Sequence, residues 1–364
     1  MREQDFEPAN YVGQVDEGKV TYRSPSNIAL VKYWGKKEHQ IPANPSISFT
    51  LESCATTTTV SFTKLKSKAK DYSFELSFEG KPKEDFKPKI EVFFNRIEPY
   101  LPFLKEYHFI IETSNSFPHS SGIASSASGM SALALCLMHL EMELQPDLTI
   151  EYFNQKASFL ARLGSGSACR SIEGPLVQWG KHETVGSTDL FGIRYPYKVH
   201  PVFQEYHDTI LLVDKGQKQV SSTVGHDLMH NHPFAEQRFA QAHENLTKLR
   251  TVFENGDVET FIQIVESEAL TLHAMMMTSL PYFILMKSNT LEIINTIWAF
   301  RKKTGTPVCF TLDAGANVHV LFPKAEKEKV DRFIADELVV FCENGQYICD
   351  SVGYGAKKLI DKNE

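Results

Sequence analysis

One stretch limits the fold more than any other. Residues 126–142 (SASGMSALALCLMHLEM) are almost entirely Ala, Leu, Met and other small or apolar residues. A helix that is apolar on nearly every side must be buried on most of them. Its most hydrophobic run, 130–140, is interrupted by His139 and falls short of the roughly 18 residues that a membrane span needs. The helix therefore belongs inside a layered globular core, with other elements packed on several sides. It is entered directly from a Ser- and Gly-rich turn.

The rest of the chain supplies those elements. Strand signals occur at 28–33, 46–51, 56–62, 72–78, 107–113, 175–179 and 208–213. Helical spacing of apolar residues marks 88–104, and 149–163 reads as a helix with Thr149 as its cap. The 220–300 region is mostly helical. Segments 307–312 and 318–322 flank a tight turn as a hairpin. A helix over 325–338 and a strand over 347–354 follow. Lys64, Lys66, Lys68 and Lys70 alternate as they would along the solvent face of an edge strand. Strands and helices mix without βαβ alternation, which predicts an α+β fold. With 364 residues and a composition shift near 200, two domains are expected, 1–200 and 201–364.

The chain carries 38 Lys and Arg against 45 Asp and Glu, a net charge of −7. That balance disfavours a nucleic-acid binder, which needs a basic face. It does not exclude small anionic ligands, because a site is set by a few local charges. The six cysteines are scattered and form no C-x-x-C pair, as expected of reduced, buried thiols. The polar, acidic N-terminus resembles neither a secretory signal nor a transit peptide. These features predict a cytoplasmic protein without a membrane partner.

Four segments can carry chemistry. Residues 116–127 (SFPHSSGIASSA) form a turn that opens a helix, whose free N–H groups attract phosphate. The same residues could instead be a Ser-rich cap, and no Walker A pattern occurs. Residues 164–171 (GSGSACRS) begin like a dinucleotide fingerprint but have Cys169 where Gly is needed. What remains is a compact turn with Arg170, either an anion clamp or a surface ion pair. Residues 27–36 (NIALVKYWGK) put Lys32 inside an apolar run. It needs an anionic partner or must snorkel. Asp313, in 311–317 (TLDAGAN), lies at a strand-to-turn junction, as a catalytic carboxylate or an Asx-turn residue. His226, His230 and His232 lack the H-E-x-x-H form, and Pro233 would break a helix carrying all three, so no metal ligands are assigned.

Taken together and in this order, NIALVKYWGK, FPHSSGIASSA, GSGSACRS, VSST and DAGAN resemble the GHMP small-molecule kinase superfamily. KYWGK and GSGSACRS narrow the resemblance to its mevalonate diphosphate decarboxylases. The resemblance implies a ribosomal protein S5 domain 2-like N-terminal domain, a ferredoxin-like C-terminal domain and an active site in the cleft between them. It implies ATP-dependent decarboxylation of mevalonate diphosphate to isopentenyl diphosphate, with phosphorylation at C3 first. A kinase without decarboxylation is the alternative, and the carboxylate clamp argues against it.

The resemblance also assigns roles. Asp313 would serve the C3 hydroxyl, Lys32 the transferring phosphoryl group and Arg170 the substrate carboxylate. Tyr33, Trp34, Gly35, Lys36, Ser165, Gly166, Ser167, Ala168, Cys169 and Thr223 would hold substrate. Pro118, Ser121, Gly122, Ala124, Ser125 and Ser126 would cradle ATP, with Mg²⁺ held mainly by phosphate oxygens and water. Relatives are commonly homodimers, which makes a homodimer the assembly to expect. Residues 36–46 (KKEHQIPANPS) depart from the family pattern. An Arg expected before the first long helix is missing, with Lys87 or Lys89 as candidate substitutes. These departures leave the head group open between diphosphate and monophosphate.

Overall fold

The computed structural model describes residues 1–118, 123–214 and 222–360. In chain order the strands are β1 (Glu17–Val31), β2 (Ser46–Lys64), β3 (Ser73–Phe78), β4 (Lys81–Pro82), β5 (Tyr107–Asn115), β6 (Leu176–Trp179) and β7 (Ile193–Arg194). They continue with β8 (Tyr206–Leu211), β9 (Cys309–Thr311), β10 (Val318–Pro323), β11 (Tyr347–Ser351) and β12 (Lys357–Leu359). The helices are α1 (Lys87–Ile97), α2 (Ser125–Leu144), α3 (Ile150–Gly164), α4 (Pro201–Gln204), α5 (Ser222–Asp227), α6 (Ala235–Asn255), α7 (Val258–Met277), α8 (Ser288–Thr304) and α9 (Lys327–Phe333).

The first sheet runs β12-β1-β2-β5-β3-β4, with β6 and β7 continuing from β2. β2 is one long strand, although the sequence signals leave a gap at residues 52–55. Asp350 bridges that point by accepting the backbone N–H groups of Glu52, Ser53 and Cys54. The threonines of β2 alternate: Thr56 and Thr58 are buried, Thr57 and Thr59 less so. Thr56 meets Ser128 of α2 at 2.6 Å, and Ser24 of β1 meets Ser131 at 2.6 Å. The small residues of α2 thus form a hydroxyl seam against the sheet, and its Leu and Met side chains fill the core around it. As expected, α2 is buried on most sides. Thr149 caps α3 by accepting the Tyr152 N–H.

The second sheet is antiparallel in the order β11-β8-β10-β9. Numbered within that half, this is 4-1-3-2, with helices between the first and second strands and between the third and fourth. That is the ferredoxin-like arrangement. The expected β9–β10 hairpin is present, paired Thr311 to His319 and Phe310 to Val320. After β11 the chain returns to the first sheet, where β12 pairs with β1. A shared core joins the two halves. Ile28, Leu30 and Phe49 from the first sheet pack with Leu246, Phe261, Val265 and Ile210 from the second half.

Two local expectations differ from the structure. The helix over 88–104 ends at Ile97, and Pro102, which cannot continue a helical hydrogen-bond ladder, starts a separate short turn. Of the alternating lysines only Lys64 is in a strand, and Lys66, Lys68 and Lys70 are exposed in the following loop. The polar N-terminus is anchored to the core by one aromatic residue. Phe6 is fully buried, stacked on Phe159 with ring centroids 4.5 Å apart.

Candidate active site

The end of β1 and the β9–β10 turn meet where the two halves face each other. Lys32 is the first residue after β1 and is only 2% exposed. Its Nζ donates to Asp313 Oδ1 at 3.0 Å. Asp313 stands just after β9, and its side chain keeps 27% of its exposure. A buried ammonium is costly unless paired, and Asp313 is the partner the sequence called for. Burial still pushes Lys32 below an ordinary lysine value, against the opposing pull of Asp313 and Glu268. His273 on α7 pins the Asp313 loop through its Nε2, which donates to the Asp313 carbonyl at 3.1 Å. Burial pushes the His273 imidazole down to about 4, so at neutral pH it acts as an uncharged donor.

Arg170 lies in a short 3-10 helix, Gly166–Ser171, directly after α3. It is 2% exposed rather than at the surface. Its Nε donates to Ser48 Oγ at 2.6 Å and its Nη1 to Ser46 Oγ at 2.5 Å, while its guanidinium lies 5.8 Å from the Trp179 ring. No described carboxylate forms a salt bridge with it. A buried guanidinium held only by neutral hydroxyls is a ready site for an anion. Tyr33 stands beside it, its buried hydroxyl without a hydrogen-bond partner among the described residues. A Cβ at Gly166 would come within 2.8 Å of that hydroxyl, so the glycine makes room for it.

The other expected substrate residues divide into two sets. Lys36 faces Asp227 at 3.6 Å, and Ser165 and Ser167 are half-buried at the turn. Trp34, Ala168 and Cys169 are buried instead. Trp34 packs with Met229, Leu272 and Met276, and Ala168 joins the main core. Cys169 donates to the Gly166 carbonyl, and burial pushes its thiol up to about 12, which rules out a thiolate at neutral pH. Thr223 lies in α5, but its side chain is outside the described residues. So are Ser121 and Gly122 of the expected phosphate turn.

What is described of that turn fits an anion. Pro118 is exposed, and Ala124 stands in the left-handed region at the N-terminus of α2 and offers no side-chain cap. Ser125 and Ser126 form its first turn, and Lys89 of α1 donates to Ser126 Oγ at 2.8 Å. Of the two lysines considered in place of the missing Arg, Lys89 therefore reaches the phosphate turn. Lys87 pairs with Glu84.

Several residues at the site are absent from the sequence reading. Glu268 of α7 accepts the Lys32 backbone N–H at 2.9 Å. It also accepts both Arg238 Nη groups, at 3.0 and 2.5 Å, and Asn245 Nδ2 at 2.7 Å. Arg238 and Asn44 donate to the Lys32 carbonyl. The second half of the chain thus grips the backbone that carries Lys32. The signal was present as Glu266, Glu268 and His273 inside an apolar helical run, where polar residues need a reason. Ser46 and Ser48, which orient Arg170, left no motif.

Taken together, a long buried helix opened by a serine-rich turn, a Lys–Asp pair across the cleft and a ferredoxin-like second half define a two-domain protein of the GHMP kinase fold. Residues 24–190 match the family model for the diphosphomevalonate decarboxylase-like N-terminal domain. Residues 209–355 match that for the mevalonate 5-diphosphate decarboxylase C-terminal domain. The chain belongs to the diphosphomevalonate decarboxylase family. It is 29% identical to the diphosphomevalonate decarboxylase of Aspergillus fumigatus over 330 residues, 86% of this chain and 78% of the relative. With the enzyme of Rattus norvegicus the identity is 27%, over 87% and 79%. The solved structure of mevalonate diphosphate decarboxylase from Staphylococcus aureus superposes with a TM-score of 0.79 at 27% identity, covering 94% of this chain and 98% of that one. MDDEF, solved in complex with MVAPP, AMPPCP and magnesium, gives 0.79 at 29% identity over 94% and 99%.

Proposed function

We propose that the chain catalyses ATP-dependent decarboxylation of (R)-5-diphosphomevalonate to isopentenyl diphosphate, with ADP, phosphate and CO2 as the other products. The observation that carries this reading is the buried Lys32–Asp313 pair beside Arg170, a buried cation that pairs with no carboxylate among the described residues. A kinase needs the first; a reaction that also breaks down a carboxylate uses the second.

Asp313 accepts the proton of the C3 hydroxyl or aligns that oxygen for attack on the γ-phosphate. Lys32 sits close enough to offset charge on the transferring group. The C3–O bond of the phosphorylated substrate then breaks as the carboxylate C–C bond supplies the electrons of the new double bond, releasing phosphate and CO2. Arg170, aimed by Ser46 and Ser48, holds the carboxylate until the neutral product leaves it. Tyr33, Lys36, Ser165 and Ser167 line the space for the rest of the substrate.

The first turn of α2, with Ser125, Ser126 and Lys89, suits ATP phosphates. Among the described residues no cluster of His, Cys, Asp and Glu could hold a metal ion. The family resemblance implies Mg²⁺ held mainly by phosphate oxygens and water. When bound, ATP and Mg²⁺ supply the phosphoryl group and offset its charge. Residues 1–200 and 201–364 are taken as the two domains, with β12 returning to the first. Six unpaired cysteines, five of them buried, support a reducing, cytoplasmic setting. No described helix is long and apolar enough to cross a membrane.

Asp313→Asn and Arg170→Gln are each expected to lower kcat/KM for CO2 release by about 10²-fold or more. Near-normal turnover by a folded Asp313→Asn variant would contradict the assignment.

A further inference from the structure

Helix α5 meets the turn after β1 residue by residue. Gly225 lies against Trp34, so closely that a Cβ there would come within 2.5 Å of the indole ring. The next residue, His226, accepts the Gly35 N–H on its Nδ1 at 3.0 Å. Asp227 then pairs with Lys36 at 3.6 Å. Gly35 itself has φ +94, a conformation that glycine adopts without strain and that brings its N–H to the His226 ring. The His226 ring packs against both neighbouring aromatics, with centroids 4.2 Å from Tyr33 and 4.7 Å from Trp34.

We propose that His226 is a positioning residue for the substrate. By accepting the Gly35 amide and packing on Tyr33 and Trp34, it sets the 33–36 turn from the opposite half of the molecule. An acceptor at Nδ1 places the ring proton on Nε2, so the bond fixes both tautomer and ring orientation. Burial, together with Lys36 and Arg170 nearby, pushes His226 down to about 3, so the acceptor lone pair is available at neutral pH. Without this bond the buried Gly35 N–H loses its partner and Tyr33 and Lys36 lose a common reference. Of the residues that grip Lys32, Arg238 and Glu268 lie on α6 and α7 and Asn44 lies just before β2, and His226 bonds none of them. Loss of His226 therefore affects substrate binding more than phosphoryl transfer.

The inference rests on the proposed activity, and the test separates the two. The full chain is compared with His226→Asn, whose side-chain oxygen can still accept the Gly35 amide, and with His226→Leu and His226→Met, which cannot. The apolar variants are expected to raise KM for (R)-5-diphosphomevalonate about tenfold, with kcat within about threefold and KM for ATP unchanged. His226→Asn is expected to restore most of the loss. Wild-type KM in a folded apolar variant, or a loss that Asn does not restore, would overturn the proposal. If one apolar variant fails to fold, the other carries the comparison. If the wild type releases no CO2, the activity reading fails, and calorimetric binding of the same acid to the same variants still tests His226.

Discussion

Glu268→Gln is the perturbation whose magnitude follows most directly from the structure. The Glu268 carboxylate and the Arg238 guanidinium are both fully buried. Four hydrogen bonds converge on the carboxylate: Lys32 N–H and Arg238 Nη2 on one oxygen, Arg238 Nη1 and Asn245 Nδ2 on the other. A glutamine keeps one oxygen and turns an NH₂ toward the other pair of donors. At least two of the four bonds are lost, and Arg238 keeps a buried charge without its ionic partner. Breaking one side of a buried pair in this way costs about 3–5 kcal/mol. At roughly 2–4 °C per kcal/mol for a domain of this size, the melting temperature should fall by about 6–20 °C. Urea unfolding should show a lower midpoint with an unchanged slope. In the variant that remains folded at low temperature, kcat/KM should fall about 10-fold or more, because the backbone that aims Lys32 has lost its grip. An unfolding free energy within about 0.5 kcal/mol of wild type, with full activity, would refute this account of how Lys32 is held.

Three further outcomes follow. Burial lowers Lys32 in the folded protein, so its ammonium loses its proton, and its pairing with Asp313, at lower pH than an ordinary lysine would. The alkaline limb of kcat should lie below 10.5, and a limb above it would contradict the role of Lys32. His139 and His273 are each pushed down to about 4 from 6.5. The folded state therefore binds fewer protons than the unfolded state between those values, and stability is lost as pH falls from 6.5 toward 4. Melting curves across that range check the sign. Lys156→Met strands the buried Glu141, which pairs with Lys156 at 2.6 Å far from the cleft. Unfolding should show about 3–5 kcal/mol lost, while the folded fraction keeps wild-type kcat.

Lys32 was legible because it interrupts an apolar strand. Arg170 after a glycine turn and Asp313 at a strand end each had an ordinary local reading, and it was the resemblance of the motifs taken together that gave them roles. All three find their partners far along the chain. The apolar composition of α2 was similarly readable, since no periodicity was needed to see that it had to be buried. What could not be read was the support. Ser46 and Ser48 look like any strand residues until Arg170 folds onto them. Glu268 meets Lys32 across 236 residues of sequence, and no local pattern encodes such a contact. The gap left at residues 52–55 closed for the same reason, because Asp350 from far along the chain accepts three of those amides. His226 was weighed only as a metal ligand, and its actual neighbours are Tyr33, Trp34 and Gly35.

The central claim is that one cleft both phosphorylates and decarboxylates. Supplying ATP and Mg²⁺ with mevalonate, its 5-phosphate or its 5-diphosphate, and measuring ADP and CO2 separately, tests it most directly. The account predicts equal ADP and CO2 from the 5-diphosphate and little of either from mevalonate. ADP without CO2 would contradict it, because Arg170 would then hold no carboxylate that breaks down.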